Sequence, residues 1–225
     1  MPERTPGAER RERLRQARLY FVTDGLDGGP RLRELLRAAL AGGADMLQLR
    51  DKQAGDAELL RAAAVFRAAC AEHGALFWLN DRPDLAERAG ADGVHVGQED
   101  MPVERVRAEL GTETLVGIST HTPAQLHAAL HSEADQLSVG PVHATPTKEG
   151  RPPAGLDYVR YAAECAGERP WFAIGGIDAA TIDEVLAAGA ERVVVVRAIR
   201  HAPDPRAAAA ELRAALEGSA AHVVG

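Results

Sequence analysis

Short apolar runs alternate along the chain with longer stretches in which apolar residues recur every three or four positions. The runs at 19–22, 46–49, 76–79, 93–96, 115–118, 136–139, 171–174 and 192–196 read as strands. Helical periodicity falls between them, at 32–41, 57–72, 103–110, 124–131, 181–188 and 206–216 among others. Most of the strands are continuous apolar runs rather than alternating ones, the pattern of parallel strands covered on both faces. The punctuation agrees. Ala-Gly-Ala followed by an acid closes helices at Ala89-Gly90-Ala91-Asp92 and Ala188-Gly189-Ala190-Glu191, with Gly43-Ala44-Asp45 close to it, a C′ glycine feeding the chain back to a strand. Thr122-Pro123-Ala124-Gln125 opens a helix with a capping Thr, Pro at the first position and Gln three residues after the cap.

Eight such units in 225 residues predict an α/β fold, a single (β/α)8 TIM barrel somewhat smaller than the usual ~250 residues. A doubly wound sheet is the alternative, but neither G-x-G-x-x-G nor G-x-x-x-x-G-K-[ST] follows any strand. The expected organisation is a flexible, basic N-terminal tail over 1–17, the barrel over 18–218 and a C-terminal tail over 219–225.

Composition narrows the function classes. Hydrophobic content of 46% with 26% charged residues is ordinary for a globular chain. The net charge of −7 argues against a broad nucleic-acid surface. No apolar run of about 18 residues offers a membrane span, and the start lacks the apolar segment of a signal peptide. The two cysteines, Cys70 and Cys165, lie in Ala-rich helical patterns and suit a reducing, cytoplasmic setting. Small-molecule partners are therefore expected, with self-association left open.

The basic residues carry one further signal. Only Lys52 and Lys148 are lysines; every other cation is arginine. In a barrel, function gathers in the loops that follow the strands, and both lysines fall there. Gln48, Arg50 and Lys52 continue one face past the second strand, and an amide with two cations suits an anionic ligand that carries a hydrogen-bonding ring. Asp81 and Asp100 follow the third and fourth strands. They could hold Mg2+, which takes one or two carboxylates and fills its shell with water and phosphate oxygens, or they could cap the helices that begin near Pro83 and Pro102. His95, inside a strand, reads as a satisfied core histidine, whereas His121 is a candidate proton shuttle. The connection from Gly140 to Pro153 is long for a βα loop, and its Thr145, Thr147 and Lys148 could wrap phosphate oxygens. Gly175-Gly176, with the end of the eighth strand, stands where barrels commonly bind phosphate.

Taken in order, these segments resemble the thiamine-phosphate synthase family. The resemblance is carried by Tyr20-Phe21-Val22-Thr23-Asp24, Gln48-Leu49-Arg50-Asp51-Lys52, Leu79-Asn80-Asp81-Arg82 and Gly93-Val94-His95-Val96-Gly97-Gln98-Glu99-Asp100. It continues through Ile118-Ser119-Thr120-His121, Gly140-Pro141-Val142, Thr145-Pro146-Thr147-Lys148 and Ala173-Ile174-Gly175-Gly176-Ile177, from about residue 18 to 205. It implies condensation of an aminopyrimidine-methyl diphosphate with a thiazole phosphate, giving thiamine phosphate and diphosphate with Mg2+ as cofactor. Gln48, Leu49, Arg50, Asp51, Lys52, Asn80, Ser119 and Lys148 would then hold the pyrimidine diphosphate, with Arg50, Lys52, Lys148 and Ser119 as the catalytic set. Asp81 and Asp100 would hold the metal, and Thr145, Pro146, Thr147, Gly176, Val196 and Arg197 the thiazole phosphate. Two positions depart from the family pattern: Arg197-Ala198 replaces the usual Ser–Ala pair, and Val142-His143-Ala144 varies the loop filling. The rival readings are a thiazole tautomerase-like paralogue, which generally lacks the diphosphate and metal residues present here, and a non-catalytic thiazole-phosphate-binding regulator.

Overall fold

The computed structural model describes residues 7–145 and 152–222. The chain begins with α1 (Gly7–Gln16) and β1 (Leu19–Thr23), then α2 (Pro30–Ala41), β2 (Met46–Leu49), α3 (Asp56–His73) and β3 (Leu76–Asn80). A 3-10 turn at Pro83–Leu85 leads into the short α4 (Ala86–Ala89), β4 (Gly93–Val96), α5 (Val103–Leu110), β5 (Leu115–Thr120) and α6 (Pro123–Leu130). Then come β6 (Gln136–Val139), α7 (Gly155–Cys165), β7 (Trp171–Ile174), α8 (Ile182–Ala187), β8 (Val193–Val195), α9 (Arg197–Arg200) and α10 (Pro205–His222). The eight strands pair in parallel in sequence order, and β8 returns to β1, closing the barrel.

Strand alternation divides the apolar residues into two cores. Leu47, Leu49, Phe77, Leu79, Val94, Val96, Leu137 and Val139 face the helices, whose inner stripes include Leu36, Phe66 and Val106. Tyr20, Met46, Leu76, Trp78, Leu115, Phe172 and Val194 fill the barrel interior, where Tyr20 meets Phe172 edge-on at 5.7 Å. A recurrent device aligns the strand starts. The carboxylates of Asp45, Asp92 and Asp135, each just before an even-numbered strand, accept the backbone N–H of Leu19, Phe77 and Val116 in the preceding odd-numbered strand at 2.9–3.0 Å. The acid that ends the helix-return phrase is thus a clamp between neighbouring strands at Asp45 and Asp92, whereas Glu191 pairs with the adjacent Arg192.

Two domain boundaries need correction. The segment expected as a flexible tail holds α1, which closes the N-terminal end of the barrel. Its Leu14, with Ala17 just beyond, completes the interior core, and Arg10 is only 2% exposed. Arg10 bonds Asp92 and the Glu113 carbonyl, each at 2.8 Å, while Arg11 bonds Asp135 at 2.8 Å. Arg10, Arg11 and Arg13 are spent on acids and carbonyls just before the strands. At the other end α10 runs on to His222, so the boundary set at 218 falls inside a helix.

Candidate functional site

The C-terminal rim carries the polar groups, and strand geometry decides which of them reach it. Gln48 points into the barrel, 4% exposed, and its Nε2 donates to the Tyr20 hydroxyl at 2.5 Å. Leu49, one residue on, faces outward and is fully buried among helix-facing residues, so its side chain is not at the mouth. Arg50 stands half-buried at the strand end, its N–H bonded to the Thr23 carbonyl at 2.9 Å; among the described residues it makes no ion pair. Asp51 turns away. Its carboxylate accepts the backbone N–H groups of Gly25, Gln53 and Ala54 at 3.2–3.3 Å and ties the loops after β1 and β2 together. Two of the expected substrate residues are therefore structural through their side chains, Leu49 as packing and Asp51 as a loop clamp.

Lys52 reaches across to the next loop, where its Nζ lies 2.9 Å from Asp81 Oδ2. Asp81 follows the half-buried Asn80 and takes a left-handed φ of 59°, its N–H held by the His95 carbonyl at 2.9 Å. That conformation is uncommon for a residue with a Cβ, and Asp and Asn tolerate it better than most. Asp100 shares the site: its Oδ2 accepts the Gly97 N–H at 2.7 Å, and it stands close enough to Asp81 to hydrogen bond with it. Burial first, and then Asp100, push the Asp81 carboxyl above the ordinary carboxylate range, while Lys52 opposes the shift. Neither acid caps a helix. The cap positions are Arg82 and Pro102, and no side chain bonds at either. Among the described residues no third His, Cys, Asp or Glu joins the pair.

Ser119 lies on the interior face of β5, 5% exposed, its Oγ 2.9 Å from His95 Nε2. His95 is the satisfied interior histidine expected, with its Nδ1 3.1 Å from Gln136 Oε1. His121 Nδ1 bonds the Gly140 carbonyl, and its backbone N–H bonds Gln125 Oε1 at 2.8 Å, so the candidate proton shuttle is tied into its loop.

Across the mouth, Pro141, Thr145, Ile174, Gly175, Gly176 and Ile177 line a pocket of about 250 Å³ with Asp178, Val194, Val195, Val196, Arg197 and Ala198. Its two glycines are obligatory. At Gly175 (φ 108°) a Cβ would stand 2.5 Å from Pro141, and at Gly176 (φ 67°) 2.7 Å from the His143 Cβ. The structure thus brings Thr145, Gly176, Val196 and Arg197 to one pocket. Pro146, Thr147 and Lys148 lie outside the described residues.

The sequence reading missed Tyr20 and Gln136 as partners of site residues. The available signals were a buried-strand position occupied by Gln136 and a glycine, Gly117, inside a strand, which often marks a close approach.

Comparison with known proteins places the chain in a family. Residues 19–199 match the family described as thiamine monophosphate synthase. The thiamine-phosphate synthase of Thermobifida fusca is 54% identical over 213 residues, covering 94% of this chain and 97% of that protein. That of Acidothermus cellulolyticus is 51% identical over 208 residues, covering 92% and 98%. The solved thiamine phosphate pyrophosphorylase of Pyrococcus furiosus superposes with a TM-score of 0.82 at 33% identity, covering 92% of this chain and 98% of that one. With the closed barrel and its two-sided mouth, these similarities establish that the chain belongs to the thiamine monophosphate synthase family.

Proposed function

We propose that this barrel mouth joins an aminopyrimidine-methyl diphosphate to a thiazole phosphate, forming thiamine phosphate and releasing diphosphate. The division of the mouth carries this reading. Cations and paired carboxylates gather after β2, β3 and β4, while an apolar, glycine-walled pocket opens between β7 and β8. One side suits a diphosphate and the other a small ring with a phosphate.

In this reading Gln48, Asn80 and Ser119 orient the pyrimidine, and Arg50, Lys52 and Lys148 neutralise the diphosphate. Thr145, Pro146, Thr147, Gly176, Val196 and Arg197 seat the thiazole phosphate. Breaking the carbon–oxygen bond leaves positive charge on a methylene that the electron-rich aminopyrimidine delocalises. The charge building on the leaving group is met by cations already in place, an arrangement that often supplies the largest share of catalysis. The thiazole nitrogen then attacks, and holding the two rings together converts a bimolecular step into an effectively unimolecular one. Little general-base chemistry is needed, consistent with the bonded state of His121.

Asp81 and Asp100 fit Mg2+. They are hard oxygen donors on adjacent loops, neither spent as a helix cap, and the buried charge on Asp81 is one that a divalent cation relieves. When bound, the metal would supply charge neutralisation for the departing diphosphate.

Incubating the purified protein with both substrates and Mg2+ tests the reading by the appearance of thiamine phosphate. Binding of thiazole phosphate without product would leave the regulator reading standing. Chelation is expected to abolish turnover, with recovery on adding Mg2+ and an unchanged circular dichroism spectrum in between. Arg197→Ala is expected to raise KM for the thiazole phosphate about tenfold, the value of one charge-assisted hydrogen bond. KM for the pyrimidine diphosphate should be unchanged; equal changes in both would remove Arg197 from the thiazole pocket.

A further inference from the structure

Strands β4 and β6 are not neighbours, since β5 lies between them, yet a side chain from each meets the other inside the barrel. Gly117 on β5 permits this. A Cβ there would stand 2.4 Å from Gln136 Oε1 and 2.6 Å from His95 Nδ1. The fully buried Gln136 has its amide orientation fixed from below: Nε2 donates to the Leu137 carbonyl at 2.6 Å, a group that can only accept, and to Ser138 Oγ at 3.0 Å. Oε1 therefore faces His95 Nδ1, which must carry the proton of their 3.1 Å bond. His95 is 6% exposed, and burial disfavours a charged ring. Its Nε2 is then an acceptor, and the Ser119 hydroxyl donates to it at 2.9 Å. The directions of the protons in this chain follow from one backbone carbonyl and from the burial of a neutral ring.

We propose that His95 is a positioning residue for the coupling reaction: the chain Gln136–His95–Ser119 directs the Ser119 proton inward, so that Ser119 Oγ accepts from the amino N–H of the aminopyrimidine. As diphosphate leaves, positive charge spreads onto that amino group and its N–H becomes a stronger donor. An oxygen whose proton is already committed to a base stabilises this charge better than a freely rotating hydroxyl, because no reorganisation is required. No proton changes hands, and the effect is one of polarity and orientation. The inference rests on the reading of Ser119 as a residue that holds the pyrimidine substrate.

Two measurements test it. In the wild-type protein, 15N NMR of the histidine side chains, with His95 assigned by its loss in His95→Gln, is expected to show Nδ1 protonated and Nε2 bare near neutral pH. An Nε2–H tautomer or a doubly protonated ring would overturn the proposal. Kinetically, His95→Gln should lower kcat about tenfold with KM for the thiazole phosphate unchanged. In a Ser119→Ala background the same change should cost less than about twofold, since the two residues act as one unit. An equal cost in both backgrounds would make His95 merely structural and overturn the proposal. Wild-type kinetics for Ser119→Ala alone would instead remove Ser119 from the substrate site, a different failure with a different signature.

Discussion

Asp81→Asn is expected to lower kcat/KM by about 10²–10³-fold while leaving the melting temperature unchanged or slightly higher. The loss follows from the two-carboxylate set for Mg2+: an amide is neutral, and half of the charge that holds the cation disappears with it. The stability expectation follows from the direction of the Asp81 shift. Burial and Asp100 hold its carboxyl above the ordinary range in the folded state, so folding favours the protonated form. Such a group stabilises the fold below its unfolded pKa, and that stability is lost as the pH rises through the folded pKa. At neutral pH the charge is thus a net burden on the fold, and the amide removes it. Lys52 loses its partner, but with 53% of its side chain exposed that loss has little effect. Asn also tolerates the left-handed backbone at φ 59°, which Ala does not, so the substitution isolates the charge. Steady-state kinetics, with thermal melts at increasing Mg2+, check both parts. Activity within a few-fold of wild type, together with a melting temperature that still rises with Mg2+, would remove Asp81 from the metal site.

The second large effect lies at the opposite end of the barrel and touches stability alone. Arg10→Ala is expected to destabilise the protein by about 3 kcal/mol, the lower part of the range for breaking a buried pair. The Asp92 carboxylate would lose its guanidinium but keep the Phe77 N–H, which limits the damage. The Glu113 carbonyl would lose its donor as well. For a chain of this length the expected fall in melting temperature is about 6–12 °C. Leu14→Ala, which opens a cavity beneath the interior core, should cost about 2–5 kcal/mol. In both variants kcat per folded molecule should match wild type, because α1 binds the residues that precede the strands and the candidate site lies after them. An unchanged melting temperature for Arg10→Ala would mean that α1 does not hold the barrel closed in solution.

These two cases mark where sequence reading succeeds and where it stops. The eight strands are legible because a parallel strand covered on both faces must be an apolar run, and the closing rule for barrels then tells which loops carry chemistry. Asp81, Asp100 and Lys52 could be nominated on that ground before any contact was known. The choice between capping and metal binding for the two acids was not legible. It depends on where each stands relative to its helix: Asp81 falls one residue before the cap at Arg82, and Asp100 two before the cap at Pro102.

What the chain by itself determines is periodic and local: the strand and helix phases, the helix-return glycines, the even and odd faces that put Gln48 inward and Leu49 outward. What only the tertiary structure decides is the pairing of polar groups far apart in sequence. α1 has too few apolar residues to announce a buried helix, and its anchorage depends on an acid 124 positions away in the case of Arg11 and Asp135. Asp51 reads as a site residue until its carboxylate is seen closing on Gly25. His95 and Gln136 lie 41 positions apart and on strands that do not pair, and they meet only because barrel curvature brings them together over a glycine. Periodicity is written in neighbouring residues, whereas the partner of a buried polar group is chosen by the closure of the whole sheet.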